Sequence, residues 1–279
     1  MLEARRRRDF LLVLPVLIYL GIFYAYPVAA MMFRSIHEPS WTIDNFVRVF
    51  ETGAILRVLW LTVRISVGVT LIALALGYPV AYVLARVDPA KSNLLMILIL
   101  TPLWTSILVR TYAWMVLLGR QGVVNQFLIS IGVIEEPIRL LNTTFAIYVA
   151  MVHVLLPIMI LPLYAALRGI DENLLRAAQG LGARPRGVFR QVVLPLSLPG
   201  ISAGCLLVFV LSLGFFITPA LVGGPQDLMI AVLIQQQVDL INWPFASALA
   251  VILLAAALAI FAIFVRSLGV EQAFGRPRT

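Results

Sequence analysis

The sequence predicts an all-α membrane protein with six transmembrane helices. Composition is the first reason: of 279 residues, 62% are hydrophobic and 12% charged, roughly half the charge of a soluble domain. Mean hydropathy is +1.01. A water-soluble fold of that composition would lack a polar surface. The second reason is run length, since a helix needs about 20 apolar residues to cross a bilayer. Residues 10–33, 65–85, 140–167 and 244–265 are free of charge over that length or more. The third is that no run alternates with period two, so the backbone satisfies itself within helices rather than in a barrel.

The elements follow in order. A span at 10–33 comes after the basic run Arg5 to Arg8. Its apolar part exceeds the about 7–15 residues of a signal-peptide core, so it is read as a retained first helix. Trp41 to Thr52 then reads as a short surface helix, with Asp44 near its start and Phe46, Val49 and Phe50 on one side. The second and third spans are expected at 56–84 and 94–117, the third carrying Arg110. Segments 122–134 and 227–243 are too polar or too short to cross and read as interfacial or re-entrant pieces. The fourth span is expected at 143–167, the fifth at 199–222 and the sixth at 244–266, and the chain at 1–279 reads as a single membrane domain.

Six spans put both termini on one side, and the basic residues say which. Fourteen lysines and arginines (Arg5 to Arg8, Arg86, Lys91, Arg168, Arg176, Arg184, Arg186, Arg190, Arg266, Arg276, Arg278) fall on the side of the termini, against Arg34, Arg48, Arg120 and Arg139 opposite. The positive-inside rule places the termini and the 168–198 loop in the cytoplasm. The net charge of +8 is then topology and attraction to anionic membrane lipid, and no nucleic-acid partner is expected because the arginines are split among short loops.

The 168–198 loop is the polar island between two apolar runs. Asp171 is placed to cap a short helix, and Gly180 and Gly182 to stop it where positive φ is tolerated. On that helix Leu174, Ala178 and Leu181 fall at i, i+4 and i+7, a narrow face suited to another protein's groove. Pro185 then opens a second helix with Val188, Phe189 and Val192, and Pro195 and Pro199 are expected to break the chain before the fifth span.

These residues resemble the "EAA" loop of permease subunits of binding-protein-dependent ABC importers: Arg176-Ala177-Ala178, Leu181-Gly182-Ala183, Phe189, Val192, Leu194-Pro195 and Pro199-Gly200-Ile201 keep its spacing. Arg176 stands where that motif opens with an acidic residue. A narrower resemblance, to spermidine/putrescine-type permeases, lies in Arg110 to Gly119, Gly122 to Asn125 and Phe215 to Pro225. The resemblance implies the type I importer permease fold in a bacterial inner membrane. It implies a coupling helix that docks on an ATPase through Leu174, Leu175, Arg176, Ala177, Ala178, Leu181, Gly182 and Ala183. It also implies two ATPase subunits, a second permease, a periplasmic solute-binding protein and a small solute such as a polyamine. The alternative from another class is a stand-alone channel or secondary transporter, which gives no reason for a groove-fitting loop.

The chain itself is expected to be no enzyme. A P-loop needs a glycine-rich turn ending in Lys-Ser or Lys-Thr, and the single lysine, Lys91, follows Arg86-Val-Asp-Pro-Ala90. ATP and Mg are therefore expected on the partner subunits, with no cofactor here. No metal site is expected either, because His37 and His153 lack an i, i+4 partner and Cys205 stands alone. His153 reads as a packing histidine or the lining of a wet path. For a cationic solute the attractive candidates are Asp227 and Asp239, with Glu135 and Glu136 behind them, while Arg57, Arg64 and Arg110 would repel it. Trp114 is a further path candidate, since tryptophan either anchors at the interface or seats a cation on its ring.

Overall fold

The computed structural model of the protein describes residues 12–37 and 41–267. Arg5 to Arg8, Arg276 and Arg278, which entered the orientation argument, lie outside the described residues. The described residues form helices and connecting turns: α1 (Leu12–His37), α2 (Asp44–Glu51), α3 (Gly53–Arg86), α4 (Pro89–Trp104), α5 (Ile107–Leu118), α6 (Val123–Ser130), α7 (Thr144–Arg168), α8 (Glu172–Gly180), α9 (Pro185–Leu213), α10 (Ile217–Val222), α11 (Ile230–Asp239) and α12 (Trp243–Ser267). Five of these, α1, α3, α7, α9 and α12, are each long and apolar enough to cross a membrane, and α4 with α5 and α6 makes a sixth candidate as a bent pair.

The chain separates into two compact units, Met1–Leu56 with Leu233–Ala255, and Arg57–Val232 with Ala256–Thr279. In the first, the turn after α1 is held by Thr42 N–H on the Ile36 carbonyl at 2.9 Å and by the His37 and Trp41 rings at 4.8 Å. The Arg48 guanidinium lies 4.9 Å over the Phe245 ring, a cation-π contact that covers the apolar start of α12.

The second unit is built on α7. Its side chains Ile147, Met151, Leu155, Met159, Ile160 and Leu163 are all buried, as expected of a helix apolar on every face. The tightest neighbour is α9, and small residues set the approach. A Cβ on Gly200 would lie 2.5 Å from the Ala166 Cβ and 2.7 Å from the Pro162 carbonyl oxygen, and one on Gly204 would lie 2.8 Å from the Met159 sulfur. Side-chain hydrogen bonds fix the register of the flanking helices: Tyr78 to Ser197 at 3.0 Å, and Ser92 donating to Tyr164 at 3.0 Å.

Two prolines behave differently from the expectation. Pro195 and Pro199 do not break the chain, because α9 runs through both. Ahead of Pro195 the helix widens by one turn, the π-helical Phe189–Val193, where Leu194 N–H reaches back to the Phe189 carbonyl, and Pro199 sits within regular helix. The break falls instead inside the segment expected to cross as 94–117. There α4 ends at Trp104 and the chain bends by 93° into α5. Pro102 cannot donate within α4, and Thr105 closes its end, with backbone N–H 3.2 Å and hydroxyl 2.8 Å from the Pro102 carbonyl oxygen. The apolar run after Pro199 is likewise cut at Gly214, so that α10 is a separate short helix within 199–222.

Candidate functional site

The polar loop folds as its residues dictate. The Asp171 carboxylate accepts the Asn173 N–H at 2.8 Å and starts α8. At the other end Gly182 takes φ +85°, with its N–H on the Gln179 carbonyl at 2.9 Å and the Ala183 N–H on the Ala178 carbonyl at 3.1 Å. That pair of bonds is the Schellman stop, which needs a left-handed residue where only glycine is unstrained.

The loop is anchored at the ends of the long helices. Arg168 donates to the Ala85 carbonyl at 3.1 Å, satisfying an orphan acceptor at the end of α3. The Phe189 ring sits edge-on between Tyr78 at 6.0 Å and Tyr82 at 5.8 Å. Leu175, 7% exposed, belongs to the same core as Leu84, Leu167, Val188 and Val193.

This geometry divides the expected docking residues. Leu174 is 50% and Leu181 90% exposed, and Arg176, Ala177 and Gly182 are also open. Ala178 and Ala183 are half-buried against the core. Leu175 is placed apart from the others: its side chain packs into this chain's own core, because the 100° step from Leu174 turns it inward. Its burial contributes about 2 kcal/mol to holding α8 in place. The face left open is Leu174, Ala177 and Leu181, at i, i+3 and i+7, rather than the expected Leu174, Ala178 and Leu181.

Arg176 pairs within its own helix, Nη2 lying 3.1 Å from the Glu172 carboxylate, and both side chains are about three-quarters exposed at 73% and 74%. An exposed i, i+4 pair of this kind contributes about 0–1 kcal/mol. Arg176→Ala is therefore expected to leave the thermal midpoint of the purified chain within about 2 °C of the parent. A fall of several degrees would mean that Arg176 holds more than Glu172.

The path candidates are not brought together. Asp227 is half-buried, and its carboxylate accepts the Thr144 hydroxyl and, at 3.3 Å, the Gly224 N–H. It closes the turn after α10 onto the start of α7. Asp239 is exposed at the end of α11, where it accepts from the Gln235 amide at 2.8 Å. Glu135 and Glu136 are exposed. Trp114 donates its indole N–H to His153 Nδ1 at 3.2 Å, with the rings edge-on at 5.7 Å. This bond pins α5 to α7 and leaves the proton of the neutral imidazole on Nε2. Arg110 lies one turn before Trp114, with Nε and Nη1 buried and no acceptor for either among the described residues. A positive charge there works against Trp114 as the seat of a cation. Among the described residues no group of three metal-ligating side chains forms.

One organising residue was not singled out by the sequence. Asn125 is fully buried at the start of α6; its amide donates to the carbonyls of Gly119 at 3.1 Å and Ile138 at 3.0 Å, and its carbonyl oxygen accepts the Ile138 N–H at 3.1 Å. The only signal is the amide pair Asn125-Gln126 in the apolar stretch Gly122 to Ile134. A second tie joins α5 to α10, the buried hydroxyls of Thr111 and Thr218 at 3.1 Å.

Comparison with known proteins places this arrangement. Residues 73–269 match the family model described as the inner membrane component of binding-protein-dependent transport systems. The chain belongs to that family. It is a membrane transport component, and the matched region contains α7, α8 and α9, with the anchored short helix between two spans. Among family relatives, the spermidine/putrescine transport system permease protein PotB of Haemophilus influenzae is 39% identical over 82% of this chain and 76% of its own length. The inner membrane ABC transporter permease protein YdcU of Escherichia coli is 33% identical over 95% of this chain and 90% of its own. A chain from the crystal structure of a bacterial ABC transporter that imports alginate superimposes with a TM-score of 0.78, covering 96% of this chain and 98% of that one at 20% identity. That likeness is one of fold.

Proposed function

We propose that this chain is the permease subunit of an ATP-driven importer of polyamines such as spermidine or putrescine, with its termini and α8 in the cytoplasm. The observation that carries the reading is α8 itself. It is capped at both ends, anchored through Leu175, and presents Leu174, Ala177 and Leu181 outward with no partner in this chain. An exposed apolar face on a rigid, anchored helix suits a groove of an ATPase subunit, which holds ATP and Mg. Closure of the ATPases moves α8 as a lever, and the helices rock between inward-facing and outward-facing states against a second permease. The substrate class is supported by the 39% identity to spermidine/putrescine permeases and by the 37% identity of the Escherichia coli PotB. A periplasmic binding protein delivers the solute.

Uptake of radiolabelled spermidine by proteoliposomes holding the full complex, its binding protein and ATP tests this. Uptake that requires ATP supports the reading, and uptake by this chain alone overturns it. The two carboxylates separate in the same assay. Asp239→Asn is expected to lower uptake several-fold at low salt with an unchanged thermal midpoint, because an exposed acid attracts a cation over about 8 Å at physiological ionic strength and farther below it. Asp227→Asn is expected to lower stability itself by about 1–3 kcal/mol, since the amide nitrogen cannot accept both of the bonds the carboxylate now takes. Wild-type uptake in Asp239→Asn at low salt would remove that residue from the path.

A further inference from the structure

The loops around α5 and α6 carry a cavity that the transport reading does not use. Its volume is about 340 Å³ and its lining is Leu118, Arg120, Arg139, Leu140, Leu141 and Asn142. Two arginines and no acidic residue are among these. Arg139 spends one donor on the Asn142 carbonyl at 3.4 Å. Arg120 makes no ion pair among the described residues.

The placement of the pair is not accidental to the local fold. Asn125 ties the Gly119 carbonyl to the Ile138 backbone through three hydrogen bonds, and these are the residues immediately before Arg120 and Arg139. One fully buried amide thus sets both arginines at the same concavity. In the same lining, Asn142 is held in the left-handed region at φ +58°, with its N–H on the Val222 carbonyl at 3.1 Å. Like charges brought to one cavity oppose folding unless an anion joins them, so a preorganised pair of this kind fits a ligand with a carboxylate or phosphate. The translocated solute of the proposed importer is a cation and does not fit.

We infer that the Arg120–Arg139 cavity receives an acidic side chain of the periplasmic solute-binding protein and orients it on the permease. The inference rests on the importer reading above, which puts Arg120 and Arg139 on the outer side. A protein carboxylate is favoured over a lipid phosphate because both arginines are exposed on loops held in place through Asn125, and the family is binding-protein-dependent.

The test uses the full transporter complex in nanodiscs and its purified binding protein, with affinity measured by biolayer interferometry at roughly 0.05 M and roughly 0.5 M salt. Arg120→Gln with Arg139→Gln is expected to weaken binding roughly tenfold at low salt and to flatten its salt dependence, and the paired Lys substitutions are expected to retain more of the affinity than Gln. Should the Gln pair fail to assemble, Arg139→Lys and Arg120→Lys singly still report, since loss of fork geometry with charge kept is expected to cost a few-fold. Parent-like affinity and salt dependence in assembled variants overturns the inference while leaving the importer intact. Unchanged binding-protein affinity combined with lost dependence on phosphatidylglycerol in the nanodisc overturns it in favour of a lipid site. A parent complex that does not bind the protein at all overturns the importer reading, and this inference with it.

Discussion

Gly200→Leu should abolish the packed state of the second unit, and the loss should appear as a thermal midpoint lowered by many degrees or as no monodisperse protein at all. A bare Cβ at this position meets the Ala166 Cβ at 2.5 Å and the Pro162 carbonyl oxygen at 2.7 Å. Neither atom can rotate away, so α7 and α9 must separate. Overpacking of a tight core costs about 1–3 kcal/mol where neighbours yield, and here they are backbone and Cβ. Gly180→Ala is the control. Nothing lies within 4 Å of its Cβ position, and alanine in place of glycine in a helix is expected to be stabilising by about 0.5–1 kcal/mol. Size-exclusion chromatography after graded heating compares the two. Equal midpoints for Gly200→Leu and the parent would mean that α7 and α9 do not touch as described.

Leu174→Glu with Leu181→Glu is expected to produce the largest functional loss without a loss of protein. Both side chains are exposed, at 50% and 90%, so charge there costs the isolated chain little. If the face enters an ATPase groove, each buried unpaired carboxylate opposes docking by several kcal/mol. ATP-driven uptake should fall at least tenfold while the amount of chain in the membrane stays the same. Leu175→Ala acts by the other route. It removes a buried anchor, at about 2–5 kcal/mol, and is expected to lower the thermal midpoint as well as uptake.

Much of the fold is legible in the sequence because membrane helices write their presence in composition. Local chemistry was equally legible at Asp171 and Gly182, where a cap and a positive-φ stop depend on neighbours within a few residues. Prolines are less legible. A proline removes one donor but does not by itself end a helix: α3 runs through Pro79, α7 through Pro157 and Pro162, and α9 through Pro195 and Pro199, while α4 ends two residues after Pro102. The site was legible as a segment and not as a face. Leu174 and Leu175 are adjacent and chemically identical, and only the packing of Leu84, Leu167 and Val188 decides which one turns inward. Asn125 was hidden for the same reason, since its three bonds join Gly119 and Ile138, which nothing in the local pattern links.

The central claim is that the outward face of α8 meets an ATPase. A photo-reactive benzoylphenylalanine placed at position 181, with a second chain carrying it at position 175, reads that contact directly in membranes containing the full complex. Leu181 is open and Leu175 is turned into the core, so irradiation is expected to join the ATPase subunit to the chain labelled at 181 and to leave the ATPase free of the chain labelled at 175. A chain labelled at 181 that captures lipid and no ATPase, in membranes that carry out ATP-driven uptake, would contradict the account.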